Sequence, residues 1–118
     1  MTLSIYVDGS GGTNSGYGFF VNETGESFYE NKSDITNNQA EYMAIISALK
    51  KFENSNDKII IFSDSKNTVN QLNHEFAINN DELRSLAREA WSLIAKFSNL
   101  TLTWVPRSKN LAGKMLGS

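Results

Sequence analysis

"KIIIFSD", residues 58–64, is the stretch that decides the fold. Ile59, Ile60, Ile61 and Phe62 follow one another with no polar residue between them, and the run is only as long as a strand. β-Branched and aromatic side chains fit an extended, pleated backbone better than a helix. A strand without a polar face is covered on both sides, which is how a parallel strand inside an α/β sheet reads. The run closes on Ser63 and Asp64, so a carboxylate stands at the carboxyl end of a buried strand, where open α/β sheets place their ligand sites.

Upstream of this strand, "LSIYV" and "GYGFFV" read as two strands and "ESFYEN" as a weaker third, with "NETGE" as the turn between the last two. Short turns between consecutive strands predict an antiparallel meander. "TNNQAEYMAIISALKKF" then changes period, with Ile45, Ala48, Leu49 and Phe52 on one helical face. Thr36 with Gln39, or Asn38 with Glu41, has the spacing of a capping box at its start.

Downstream, "SKNTVNQL" predicts a short helix. A longer one follows in "NNDELRSLAREAWSLIAKF", where Leu83, Leu86, Ala87, Ala90, Ile94 and Phe97 share a face and Trp91 lies within that apolar sector or at its edge. "LTLTWV" alternates as a strand and stops at Pro106. Because Trp104 alternates with Leu100 and Leu102, it is predicted to pack in the core. The order β-β-β-α-β-α-α-β describes an α/β fold, a mixed sheet with helices packed on it.

Composition narrows the function. The 118 residues predict a single domain over 1–118, and 40% hydrophobic with 20% charged residues is ordinary for a globular chain. With no cysteine and a single histidine, His74, thiolate sites, cysteine nucleophiles and multi-histidine zinc sites are excluded. A net charge of −2 argues against coating nucleic acid by charge alone, but not against a local phosphate groove. Lysines 50, 51, 58, 66, 109 and 114 are dispersed, as on a solvated surface. No apolar run approaches the roughly 20 residues of a membrane span, and no secretory leader is recognisable, so a cytoplasmic, monomeric protein is expected.

Asp8 ends the first strand as Asp64 ends the fourth, and Glu41 lies one turn into the intervening helix. Singly, each acid fits a turn or helix-cap role. Together they converge at one sheet edge, where like charges persist only if a cation neutralises them or some take up protons. Ligands made of oxygen alone suit a hard ion, Mg²⁺ or Mn²⁺.

"YVDGS", "TNNQAEYMAI", "IFSDSKNTVNQL" and "WVPRSKN" resemble the type 1 ribonuclease H family, in order and spacing, from about Leu3 to Leu116. The likeness is to compact forms without a basic protrusion, since only "NHEFAINNDEL" joins the short helix to the long one. The resemblance implies a ribonuclease H-like fold, a five-stranded mixed sheet whose first three strands are antiparallel. It also implies an endonuclease that hydrolyses the RNA strand of RNA–DNA hybrids with two Mg²⁺ ions, leaving 5′-phosphate and 3′-hydroxyl ends.

By that resemblance Asp8, Glu41 and Asp64 are the metal-binding acids, with Asp8 bridging both ions. Asn14, Asn37 and Asn38 match side chains that read 2′-hydroxyls in the minor groove, and Gly11 to Thr13 lends backbone groups. Thr36 and Asn79 fall where the family grips a phosphate of the DNA strand, although loop and cap chemistry explains these residues too. His74 does not match the family's mobile histidine and reads as a loop residue.

The chain departs from the pattern at its C-terminal end. The family presents a fourth acid on a helix reading roughly N-x-x-A-D, whereas "NLAGKMLGS" puts Gly113 or Lys114 there and no acid follows Glu89. Several explanations compete: an acid beyond Ser118 or a position one helical turn on at Gly117, a Lys114 ammonium that partly replaces a cation's charge, or a domain that binds nucleic acid or a protein without cleaving. Weakened or conditional activity on three acids, with Mn²⁺ a possible substitute for Mg²⁺, is the expected outcome. A related nuclease for DNA or double-stranded RNA fits the asparagines less well.

Overall fold

The computed structural model describes the backbone of residues 1–115 and side chains as far as Gly113. Five strands form one sheet: β1 (Thr2–Ser10), β2 (Gly16–Val21), β3 (Ser27–Asn31), β4 (Lys58–Ser63) and β5 (Leu100–Trp104). Their order across the sheet is β3-β2-β1-β4-β5. β1 pairs antiparallel with β2 and β2 with β3, while β4 lies parallel to β1 and β5 parallel to β4. The meander and the buried parallel strand are both present, and β1 and β4 run side by side at the centre.

Four α-helices accompany the sheet: α1 (Asn37–Lys51), α2 (Lys66–Leu72), α3 (Asp81–Ile94) and α4 (Leu111–Met115), the last preceded by a 3₁₀ turn at Arg107–Lys109. The alternative at the start of α1 resolves to Thr36 and Gln39, whose side chains cap each other's backbone N–H groups at 3.0 and 2.8 Å. Ser65 and Asn80 cap α2 and α3.

The core lies between the sheet and the α1–α3 layer. Ile5, Val7, Val21, Ile59 and Ile61 are buried beneath Tyr42, Ile45 and Leu49 of α1 and Leu83, Ala87, Ala90 and Leu93 of α3. Each of the fully buried aliphatic side chains contributes about 1.5–3 kcal/mol. The predicted faces are those observed, with Leu93 joining the face of α3 and Leu86, Ile94 and Phe97 only half-buried at its margin.

Trp104 corrects the expectation of a core residue: it is 41% exposed. Leu102 is buried as alternation requires, but Trp104 is the last residue of β5, where the strand's parity no longer guarantees cover. Trp91 packs half-buried against the core, donating from Nε1 to the Leu72 carbonyl at 3.0 Å and stacking on the exposed loop residue His74. No helix among the described residues is long and apolar enough to cross a membrane.

Candidate metal centre

The parallel pairing of β1 with β4 brings two strand ends together. Val7 lies opposite Ser63, so Asp8 and Asp64, one residue further on, emerge side by side at the carboxyl edge of the sheet. α1 crosses this edge closely because position 9 is glycine: a Cβ there would stand 2.4 Å from the Ala40 carbonyl. That approach lets the Gly9 N–H donate to Glu41 Oε1 at 2.7 Å. Asp8, Glu41 and Asp64 each present a carboxylate oxygen within 4.8 Å of the others.

Asp8 and Glu41 are each only 8% exposed, and Asp64 is half-buried. Burial first, then the neighbouring charges of Asp8 and Asp64, push the Glu41 carboxyl from its ordinary 4.5 up to about 8, although the Gly9 N–H and Arg107 favour its charged form. Glu41 therefore holds a proton near neutrality unless a cation takes the proton's place. A hard, all-oxygen donor set that carries its own repulsion fits Mg²⁺ or Mn²⁺, and these three side chains would hold it.

Asn110 completes the frame. It is fully buried, and its Nδ2 donates to the Val7 carbonyl at 2.8 Å and to Asp64 Oδ2 at 3.0 Å. Its Oδ1 accepts from the Ala112 N–H at 3.0 Å, so the same side chain that orients Asp64 also starts α4. The sequence marked Asn110 only as a landmark beside the missing acid. Ala112 and Gly113 are buried where the fourth acid was sought; Gly113 offers no carboxylate, and the side chain of Lys114 and the whole of Gly117 lie outside the described residues.

Most of the predicted substrate residues lie in the β1–β2 loop and at the start of α1, which follow Asp8 and precede Glu41 in the chain. The β1–β2 loop is tied to the start of α1: the Gly11 N–H donates to Asn37 Oδ1 at 2.6 Å and the Gly12 N–H to the Ile35 carbonyl at 3.0 Å. Gly12 has φ +108°, a conformation that favours glycine. Gly11 is half-buried against α1, while Thr13, Asn14, Thr36, Asn37 and Asn38 are exposed on this rim. Thr36 Oγ1 and Asn37 Oδ1 already serve the fold as acceptors. Asn79 is exposed in the loop before α3, a helix whose first turn is tied to the start of α1 by a hydrogen bond from Gln39 to Glu82.

A family model described as reverse transcriptase-like matches residues 15–117. The chain belongs to that family of ribonuclease H folds. This ribonuclease H-like chain is 28% identical to the protein EbsB of Enterococcus faecalis, over 97% of its own length and 90% of that protein's. It is 35% identical to ribonuclease HI of Halobacterium salinarum over 81% of this chain and 47% of that protein, so it spans about half the length of that relative. The crystal structure of RNase H1 from the same archaeon matches with a TM-score of 0.84 at 29% identity, covering 93% of this chain and 89% of that one. LC11-RNase H1, crystallised with an RNA/DNA hybrid, matches with a TM-score of 0.84 over 97% of this chain and 92% of that one; at 22% identity this is a likeness of fold. The compact ribonuclease H architecture is thus reached both from the sheet order and from these relatives.

Proposed function

We propose that this protein is an endonuclease that hydrolyses the RNA strand of RNA–DNA hybrids and leaves 5′-phosphate and 3′-hydroxyl ends. The observation that carries this reading is the convergence of Asp8, Glu41 and Asp64 within 4.8 Å at the end of a ribonuclease H-type sheet. Two divalent cations, Mg²⁺ or Mn²⁺, bound there would supply an activated water and charge stabilisation of the leaving 3′ oxygen.

The protein's own groups orient these ligands. Asp8, to which the family resemblance assigns a share in both cations, would hold them together with Glu41 and Asp64. The Gly9 N–H fixes one oxygen of Glu41, and Asn110 fixes one oxygen of Asp64. Asn14, Asn37 and Asn38 offer amides to 2′-hydroxyls along the RNA strand, with Asn37 keeping its NH₂ for that purpose because its carbonyl serves Gly11. Thr36, whose oxygen accepts from Gln39, retains its hydroxyl hydrogen for a DNA-strand phosphate, and Asn79 would add a second contact.

A specific observation favours a second reading. The family's fourth acid corresponds to Gly113, which is buried, or to Lys114, and neither is acidic, which suits a silent module that binds hybrid or protein without cleaving it. Incubation with labelled RNA–DNA, RNA–RNA and DNA–DNA duplexes separates these readings. Cleavage confined to the RNA of the hybrid, with products that a ligase joins only through a 5′-phosphate, is expected. Hybrid binding with no cleavage under either metal would transfer the protein to the silent class.

A further inference from the structure

Trp104 is an exposed aromatic beside the acid cluster. It pairs across the sheet with Ser63, one residue before Asp64, and its Nε1 donates to the Asp64 carbonyl at 3.2 Å. That bond anchors the indole against the turn between β4 and α2. The Lys66 ammonium, on the first residue of α2, lies 4.9 Å from the ring centroid, within the range of a cation–π contact. Lys66 is exposed and joins no ion pair among the described residues, although Asp64 is two positions away. The aromatic face thus holds an ammonium beside the carboxylates rather than on them. The acids stay available for cations and the ammonium for an anion.

We propose that Lys66, seated on Trp104, contacts a backbone phosphate of the RNA strand next to the one held at the acids, and that Trp104 is its positioning residue. This inference rests on the hybrid-cleaving reading and adds to it a phosphate contact on the β5 side of the site, across the acids from the asparagine rim.

The test is hybrid binding as a function of salt, read by fluorescence anisotropy with the full chain carrying Asp8→Asn to prevent turnover. Each phosphate contact contributes nearly one unit to the slope of log K against log salt. Adding Lys66→Met is expected to flatten that slope by about 0.7–0.9. Lys66→Arg should keep the parent slope. Trp104→Phe, which retains a ring, should keep most of it, and Trp104→Ala should lose part although Lys66 is still present. A purely structural role for Trp104 would lower affinity without moving the slope. An unchanged slope for Lys66→Met, with the hybrid still bound, overturns this inference and leaves the nuclease reading standing. A parent that binds no hybrid at all overturns both.

Discussion

The N–H of Gly9 and the carboxylate of Glu41, 32 residues apart in the chain, meet at 2.7 Å because β1 and α1 touch backbone to backbone at Gly9 and Ala40. This one bond places an acid from a helix into a cluster otherwise made by two strand ends. It does not relieve the cluster's repulsion, since Glu41 is still pushed up to about 8. A group in that condition links stability, proton binding and metal binding.

In metal-free protein the sign of that linkage is fixed. Between the ordinary 4.5 and about 8, folded Glu41 keeps a proton that the unfolded chain has released, so stability falls as pH rises through this window and the loss is complete above it. Glu41→Gln, which can still accept from Gly9, should remove this slope. In the presence of a chelator the variant should exceed the parent at pH 9 by on the order of 2 kcal/mol or more, and by little at pH 4. Urea unfolding at the two pH values checks this, and parallel curves would contradict it.

Divalent cation affinity should carry the opposite pH dependence. A protonated Glu41 must release its proton to serve as a ligand, so affinity should rise with pH and level off above about 8. Calorimetry in two buffers of different ionisation enthalpy should show proton release on Mg²⁺ binding at pH 7. Binding heats independent of buffer would show that no proton leaves Glu41 when the cation binds.

Asn110→Ala should damage fold and site together. The substitution strips the Val7 carbonyl and Asp64 Oδ2 of their buried donor. About 1–3 kcal/mol of stability should be lost. Hybrid cleavage should fall about 10–100-fold as Asp64 loses its orientation. Thermal unfolding and initial rates measure the two effects separately, and a variant with parental rates would remove Asn110 from the site.

Much of the site was legible because carboxylates at the ends of two apolar runs are conspicuous, and parallel pairing of those runs forces Asp8 and Asp64 together. Glu41 followed from the helical period that sets it one turn into α1, while the capping box stayed open between Thr36 with Gln39 and Asn38 with Glu41 until the structure resolved it. Asn110 was not legible as a partner of Asp64, since a contact across 46 residues leaves no trace in local pattern. Trp104 misled because alternation reports which face a side chain takes, not whether that face is still covered at the strand's last residue. Its anchoring to Asp64 and to Lys66 exists only in three dimensions.

An acid can be introduced at one of the two positions that match the family's fourth. Gly113 lies within α4, whose start is fixed by the same Asn110 that holds Asp64. Gly113→Asp should raise Mg²⁺-supported cleavage on the order of tenfold or more. The gain should be smaller with Mn²⁺, and kinetics in the two metals read the difference. An equal or lower rate with Mg²⁺ would show that α4 does not present position 113 to the cations.

The most direct test of the central claim is cleavage of an end-labelled RNA–DNA hybrid by this chain and by its Asp8→Asn variant, each with Mg²⁺ and with Mn²⁺. Metal-dependent cutting of the RNA strand by the parent, reduced at least about 100-fold in the variant, is the predicted result. Cleavage that survives Asp8→Asn undiminished, or a folded parent that cuts with neither metal, would contradict the assignment of Asp8, Glu41 and Asp64 as a working nuclease centre.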